Sequence, residues 1–194
     1  LKRLVSVTIL DTNNILCGRD NIYNLVANNP GLTRIAYNGG DIKLVDLING
    51  EQLPAHVRTV EVIPGSASII AGMLQGCVNV TEIILPLSVK TVGLYAFENT
   101  AWYNAQPNYV VILDGYLYRY KGQESTVTIP NTVKVIGPYA FATTSNGVIW
   151  EGNNFIKAVR FQSGSAATTM LSKAFYNCSL LAKIDMPYTL TNIA

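Results

Sequence analysis

The stretch Pro130-Asn131-Thr132-Val133-Lys134-Val135-Ile136-Gly137-Pro138-Tyr139-Ala140-Phe141 decides the fold, because the chain writes it more than once. Pro86-Leu87-Ser88-Val89-Lys90-Thr91-Val92-Gly93 leads to Tyr95-Ala96-Phe97 over the same eleven steps from proline to phenylalanine. A third such phrase stands at Lys173-Ala174-Phe175. One unit this short cannot bury its own apolar face. Copies must stack on their neighbours and form a solenoid.

Working outward, Val60-Glu61-Val62-Ile63 aligns with Ile83-Ile84-Leu85-Pro86 and Val127-Thr128-Ile129-Pro130. These phrases end at 63, 86 and 130, intervals of 23 and of 44, the latter close to two periods. Eleven steps from each end reach Leu74, Phe97 and Phe141, and six steps reach Ile69, Val92 and Ile136. A fourth copy runs Val159-Arg160-Phe161, Met170, then Ala174 to Cys178, and a fifth opens at Ile184-Asp185-Met186-Pro187. The fifth stops at Ile193-Ala194, inside a repeat, so the expectation is a chain that continues or a partner that caps this end.

Alternate strand residues point to opposite faces. In Val127-Thr128-Ile129 the outer two are expected in the core and the middle one outside. Each coil reads as strand, turn, second short strand and short helical turn, with Leu74, Phe97, Phe141 and Phe175 in one column. Gly93 and Gly137 are expected to bend the chain between pieces. Residues 57–194 are the clear repeats, and residues 1–56 are degenerate repeats or a cap. There, a helical turn is expected at Asn24 to Asn28, and strands at Val5 to Leu10, Ile42 to Ile48 and Val57 to Val62.

The piece between Phe97 and Pro130 breaks the period. Tyr109 to Leu113, Asp114-Gly115 and Tyr116 to Gly122 read as a hairpin, since Asp-Gly between β-rich runs is a strong turn signal. Tyr116, Tyr118 and Tyr120 share one face of its second strand. With Trp102, spanning 102–122, they are either an aromatic binding surface or a cover over the core.

Composition narrows the function. The chain has 194 residues, 49% apolar and 13% charged, enough to bury a large core. A net charge of +2 gives no reason to expect nucleic acid as partner. No stretch reaches the roughly 18 apolar residues that span a bilayer, so no membrane insertion is expected. Cys17, Cys77 and Cys178 form neither a disulfide framework nor a zinc pattern. Cys77 and Cys178 share one repeat slot and are expected to be buried. The single histidine, His56, lies in a turn, and the sequence has neither a phosphate loop nor a His-Glu-x-x-His zinc motif. Asp11-Thr12-Asn13-Asn14 lacks the spaced acidic ladder of a calcium loop. No enzyme, metal or cofactor is therefore expected.

Ile129-Pro130, Val133, Ile136-Gly137, Ala140-Phe141, and Ala174-Phe175 with Cys178 resemble the BspA-type leucine-rich repeat family. So does the hairpin insertion with Trp102 and Asp114 through Gly122. Met73-Leu74 in place of Ala-Phe, and Thr100 in place of Cys, depart from its pattern. The resemblance implies an α/β solenoid, a right-handed leucine-rich-repeat superhelix that is strand-rich with short helical turns. It also implies a secreted or surface-anchored binding protein, often an adhesin for protein. The expected binding face is the row of central strand residues, Glu61, Ile84, Thr128, Arg160 and Asp185, with the hairpin aromatics as a second candidate. A spacer that presents another domain is the alternative, and a hydrolase using His56 is the third.

Overall fold

The computed structural model describes residues 4–10, 19–40, 42–48, 52–145 and 149–194. They fall into two compact units, divided between Ala105 and Gln106. The Asp11 to Asn14 segment and Cys17 lie outside the described residues.

In chain order the first unit holds β1 (Ser6–Thr8), α1 (Arg19–Ala27), β2 (Arg34–Tyr37), α2 (Leu44–Leu47), β3 (Thr59–Val62), β4 (Ser68–Ile69), β5 (Glu82–Ile84), β6 (Thr91–Val92) and α3 (Ala101–Ala105). The long strands form one parallel sheet in the order β1-β2-β3-β5, and the short strands β4 and β6 form another. The phrase at Ile42 to Ile48 is a helix rather than the expected strand. Leu44, Leu47 and Ile48 are all fully buried, and their i, i+3, i+4 spacing lines one face of a helix. The expected turn at Asn24 to Asn28 is the end of the longer helix α1.

The second unit holds β7 (Tyr109–Ile112), β8 (Tyr116–Tyr120), β9 (Thr126–Ile129), β10 (Val135–Ile136), β11 (Ala142–Ser145), β12 (Ile149–Gly152), β13 (Ala158–Phe161), β14 (Thr169–Met170), β15 (Lys183–Ile184) and β16 (Asn192–Ile193). Its long strands pair in parallel as β9-β13-β15, and its short strands form the sheet β16-β14-β10-β8-β7. Val127 and Ile129 point into the core while Thr126 and Thr128 are exposed, the alternation expected of a half-buried strand.

The hairpin β7–β8 does not stand outside the period. Tyr116 and Leu117 pair in parallel with Val135 and Ile136, so β8 supplies the short strand that its coil would otherwise lack. Repeated hydrogen bonds fix the alignment. The Phe141 amide donates to the Ala174 carbonyl at 3.0 Å, the Tyr120 amide to Ala140 at 2.7 Å, and the Leu74 amide to Ala96 at 2.9 Å. Tyr120 therefore fills the slot of the repeat phenylalanine. In the second unit the rings run Tyr109, Tyr120, Phe141, Phe175, with centroids 5.0, 5.6 and 4.5 Å apart. In the first unit, Leu74 and Phe97 are fully buried, and Phe97 meets Trp102 edge-on at 5.5 Å.

Two local expectations are corrected. The Ala-Phe phrases form turns rather than helical turns, because the residue before each alanine is left-handed: Tyr95 (φ 56°), Tyr139 (φ 56°) and Lys173 (φ 62°), with Gly72 (φ 66°) in the matching slot of the Met73-Leu74 copy. A positive φ there stops right-handed helix growth. Gly93 and Gly137 do not supply a left-handed bend, since neither has a positive φ. Their role is space. A Cβ on Gly93 would stand 2.4 Å from the Ala71 nitrogen, and one on Gly137 would stand 2.8 Å from the Leu117 oxygen.

A second insertion was not anticipated. Strands β11 and β12 pair antiparallel from Ala142↔Gly152 to Ser145↔Ile149, so the turn at Ala140-Phe141 opens into a ribbon. Asn146-Gly147 in the sequence is the signal that could have revealed it.

Candidate binding site

The register of the long strands builds the expected face. In the first unit, Ala36, Glu61 and Ile84 lie side by side across β2, β3 and β5. In the second, Thr128 lies beside Arg160, and Asp185 follows Ile184, the partner of Val159. The candidates thus form two rows, Glu61 with Ile84 and Thr128 with Arg160 and Asp185, each on its own sheet.

Period-two alternation puts a second row on each face, two residues earlier, which the sequence reading missed: Thr59 and Glu82 in one unit, Thr126, Ala158 and Lys183 in the other. The added residues complete the electrostatics. Arg34 forms an ion pair with Glu61, and the Thr59 hydroxyl donates to Glu82 at 2.9 Å. The Lys183 ammonium lies 2.9 Å from one Asp185 oxygen, and Arg160 Nε lies 3.7 Å from the other. Thr128, Arg160 and Asp185 are exposed, whereas Glu61 and Ile84 are half-buried. The first unit's face is thus largely satisfied by its own ion pair, while the second is more open.

The hairpin aromatics are placed differently. Tyr116, Tyr118 and Tyr120 are only 5, 3 and 2% exposed. Strand β8 lies between β7 and β10 and is buried along its whole length, so both faces serve packing. Tyr120 donates its hydroxyl to Glu124, and the Arg119 guanidinium sits 5.0 Å from the Tyr118 ring centre. These tyrosines cover the core and present no aromatic row to a ligand. Trp102 belongs to α3 in the first unit, half-buried against Phe97.

Candidate reactive groups are tied into structure. His56 is half-buried, its Nε2 3.0 Å from the Val26 carbonyl. Cys77 is buried, and burial pushes its thiol up to about 12. Cys178, expected to be buried, is half-exposed because its turn follows the last stacked phenylalanine; partial burial raises its pKa as well. Among the described residues no three His, Cys, Asp or Glu side chains gather to hold a metal ion, and no helix is long and apolar enough to cross a membrane.

Stacked coils of a long parallel strand, a turn and a short parallel strand define a solenoid-like repeat protein, strand-rich with few helices. The chain belongs to the BspA-type leucine-rich repeat family, whose model matches residues 58–149 and 149–194 with six copies. Two solved structures are similar to it. A leucine-rich repeat protein from Eubacterium ventriosum ATCC 27560 shares 19% identity at a TM-score of 0.35, covering 97% of this chain and 63% of that one. A leucine-rich repeat protein of T. pallidum shares 14% identity at a TM-score of 0.27, covering 99% and 74%. The chain thus spans less than two thirds of the length of the first, and similarity at these scores carries no argument about function. A search of curated proteins finds no match.

Proposed function

We propose that this chain is a non-catalytic protein-binding module of a secreted or cell-surface protein, acting in adhesion or partner recognition through the outward faces of its long-strand sheets. One observation carries the reading: exposed polar and charged side chains stand in register on the second unit's sheet, directly behind strand positions committed to the core. Registered rows on a rigid scaffold offer a partner fixed points of contact at small ordering cost. Membership of a leucine-rich repeat family supports protein as the ligand class, and resemblance to surface proteins of that family supports the location. The coils are proposed to wind right-handed, as parallel strand crossovers nearly always do. Residues 1–56 are proposed as worn repeats that extend or cap the first sheet, since β1 and β2 continue its parallel pairing.

The spacer alternative draws on one feature: Arg34 with Glu61, and Lys183 with Asp185, already pair with each other. A protein-display library panned against the whole chain separates the two. Selected binders are expected to lose at least about tenfold in affinity for Thr128→Arg or Glu61→Lys. Binders indifferent to both substitutions would refute the sheet-face reading. A library yielding no binder would favour the spacer.

A further inference from the structure

Beside the second unit's sheet lies a cavity of about 380 Å³, within the size range of ligand sites. Arg160, Phe161 and the turn 162–165 form one wall, and Asp185–Tyr188 of the next coil form the other. Gly164 turns in the left-handed region at φ 72°, and no atom stands within 4 Å of where its Cβ would be. Gln162 and Ser165 are committed to the backbone. Gln162 Oε1 accepts from the Asn131 amide at 3.1 Å, and Ser165 Oγ accepts from Ala167 at 3.2 Å. Arg160 and the apolar side chains remain for a ligand, while Asp185 is paired with Lys183 at 2.9 Å.

Their chemistry selects it. Arg160 and Lys183 carry two positive charges against the single negative charge of Asp185, a local excess of one positive charge. The Arg160 side chain makes no hydrogen bond among the described residues and meets Asp185 only at 3.7 Å, so its planar fork of donors is available to an anion. Such a fork matches carboxylate and phosphate oxygens two at a time. Asp185 lies 3.7 Å from Arg160 Nε and repels a phosphate dianion more than a carboxylate. Next to the charges stand Tyr188, 96% exposed, Met186, 48% exposed, and half-buried Phe161. An apolar patch beside a cation marks a place where a partner docks.

We propose that this cavity is an anchor pocket for a carboxylate next to a large apolar side chain, presented by an extended segment of a protein partner. The pocket rests on the protein-binding reading above and names the chemistry its second-unit face recognises. Arg160 holds the carboxylate, and Phe161, Met186 and Tyr188 receive the apolar group.

The test titrates the ¹⁵N-labelled whole chain with acetyl-Gly-Asp-Leu-Gly-amide, following backbone amide shifts. Shifts are expected at 162–165, 185, 186 and 188, saturating with the peptide. The Asn-Leu peptide and the Asp-Ala peptide are each expected to bind more weakly, the former by at least about tenfold, because a charge-assisted hydrogen bond is lost. Arg160→Gln is expected to weaken the Asp-Leu peptide about tenfold and Tyr188→Ala about threefold. Both side chains are exposed, and an unchanged spectrum elsewhere confirms that the variants are folded. Acetyl-Gly-Leu with a free carboxylate tests the chain end as the source; preferential binding of it supports the same pocket with a terminal carboxylate. Equal binding of Asp-Leu and Asn-Leu peptides, shifts confined to other residues, indifference to Arg160→Gln, or no shift with any peptide would each overturn the pocket. The pocket falls alone if library binders still depend on Thr128 and Glu61. The sheet-face reading falls alone if the peptides behave as stated but the binders ignore those two residues.

Discussion

Replacing Gly93 by alanine tests whether that glycine serves space or conformation. The added Cβ would meet the Ala71 nitrogen at 2.4 Å, its Cα at 2.7 Å and the Ile70 carbonyl carbon at 2.8 Å, all of them backbone. Ordinary contact begins at 3.4 Å, so the strands must part by about 1 Å. Two hydrogen bonds tie the coils beside this point: the Gly93 amide to the Ile69 carbonyl at 2.8 Å, and the Gly72 amide to Leu94 at 2.7 Å. Parting by that distance takes both beyond useful length, about 1 kcal/mol each. Overpacking adds about 1–3 kcal/mol, so the expected loss is about 3 kcal/mol or more. Gly65→Ala is the control. Gly65 has φ 94° and nothing within 4 Å of its Cβ position, so only left-handed strain applies, about 1–2 kcal/mol. Urea unfolding followed by Trp102 fluorescence, in a Trp150→Phe background, reports on the first unit. At a slope of about 1.5 kcal/mol per molar, the Gly93→Ala midpoint should fall by about 2 M. A shift no larger than that of Gly65→Ala would refute the close-approach reasoning and restore the bend.

Two further outcomes follow from the packing. Phe141→Ala removes a fully buried ring stacked 4.5 Å from Phe175 and 5.6 Å from Tyr120, and should cost about 3–5 kcal/mol by calorimetry; a loss below about 1 kcal/mol would show that the ring column does not carry the second unit. Stability should also decline in alkali. Burial raises the Cys77 thiol from 9.0 to about 12, so above pH 9 the unfolded chain releases a proton that the folded chain keeps; the contribution is whole below pH 9, shrinks on the way to about 12, and amounts to roughly 4 kcal/mol. Cys77→Ala should flatten that decline in urea titrations between pH 8 and 11, and an unchanged slope would contradict it.

The coil was legible because its two signals are both set by burial. Val127 and Ile129 alternate with exposed Thr128, and the phenylalanine slot recurs at a fixed step. Other features depend on contacts that no local pattern reports. The left-handed slot is held by Tyr95, Tyr139 and Lys173, residue types that rarely mark it, and only Gly72 hints at the backbone there. Strand β8 joins the short-strand sheet through pairing with β10, so Tyr120 enters the ring column from a segment whose spacing looked broken. The tyrosines of β8 alternate as if one face met water, yet burial on both sides makes that alternation silent. Arg160 and Asp185 could be placed on one face from the repeat register, but the cavity between their coils depends on the turn at 162–165, which period counting leaves blank.

The parallel pairing has a mechanical consequence. Within each unit the long strands lie side by side, so a force that draws one coil away from the next opens their ladder one hydrogen bond at a time rather than sliding all of them together. Separating Val159 from Ile184 frees about one coil of slack chain, since the partners are only 25 positions apart along the sequence. Peeling coils from the free edge of the sheet therefore lengthens the chain by about one coil at a time.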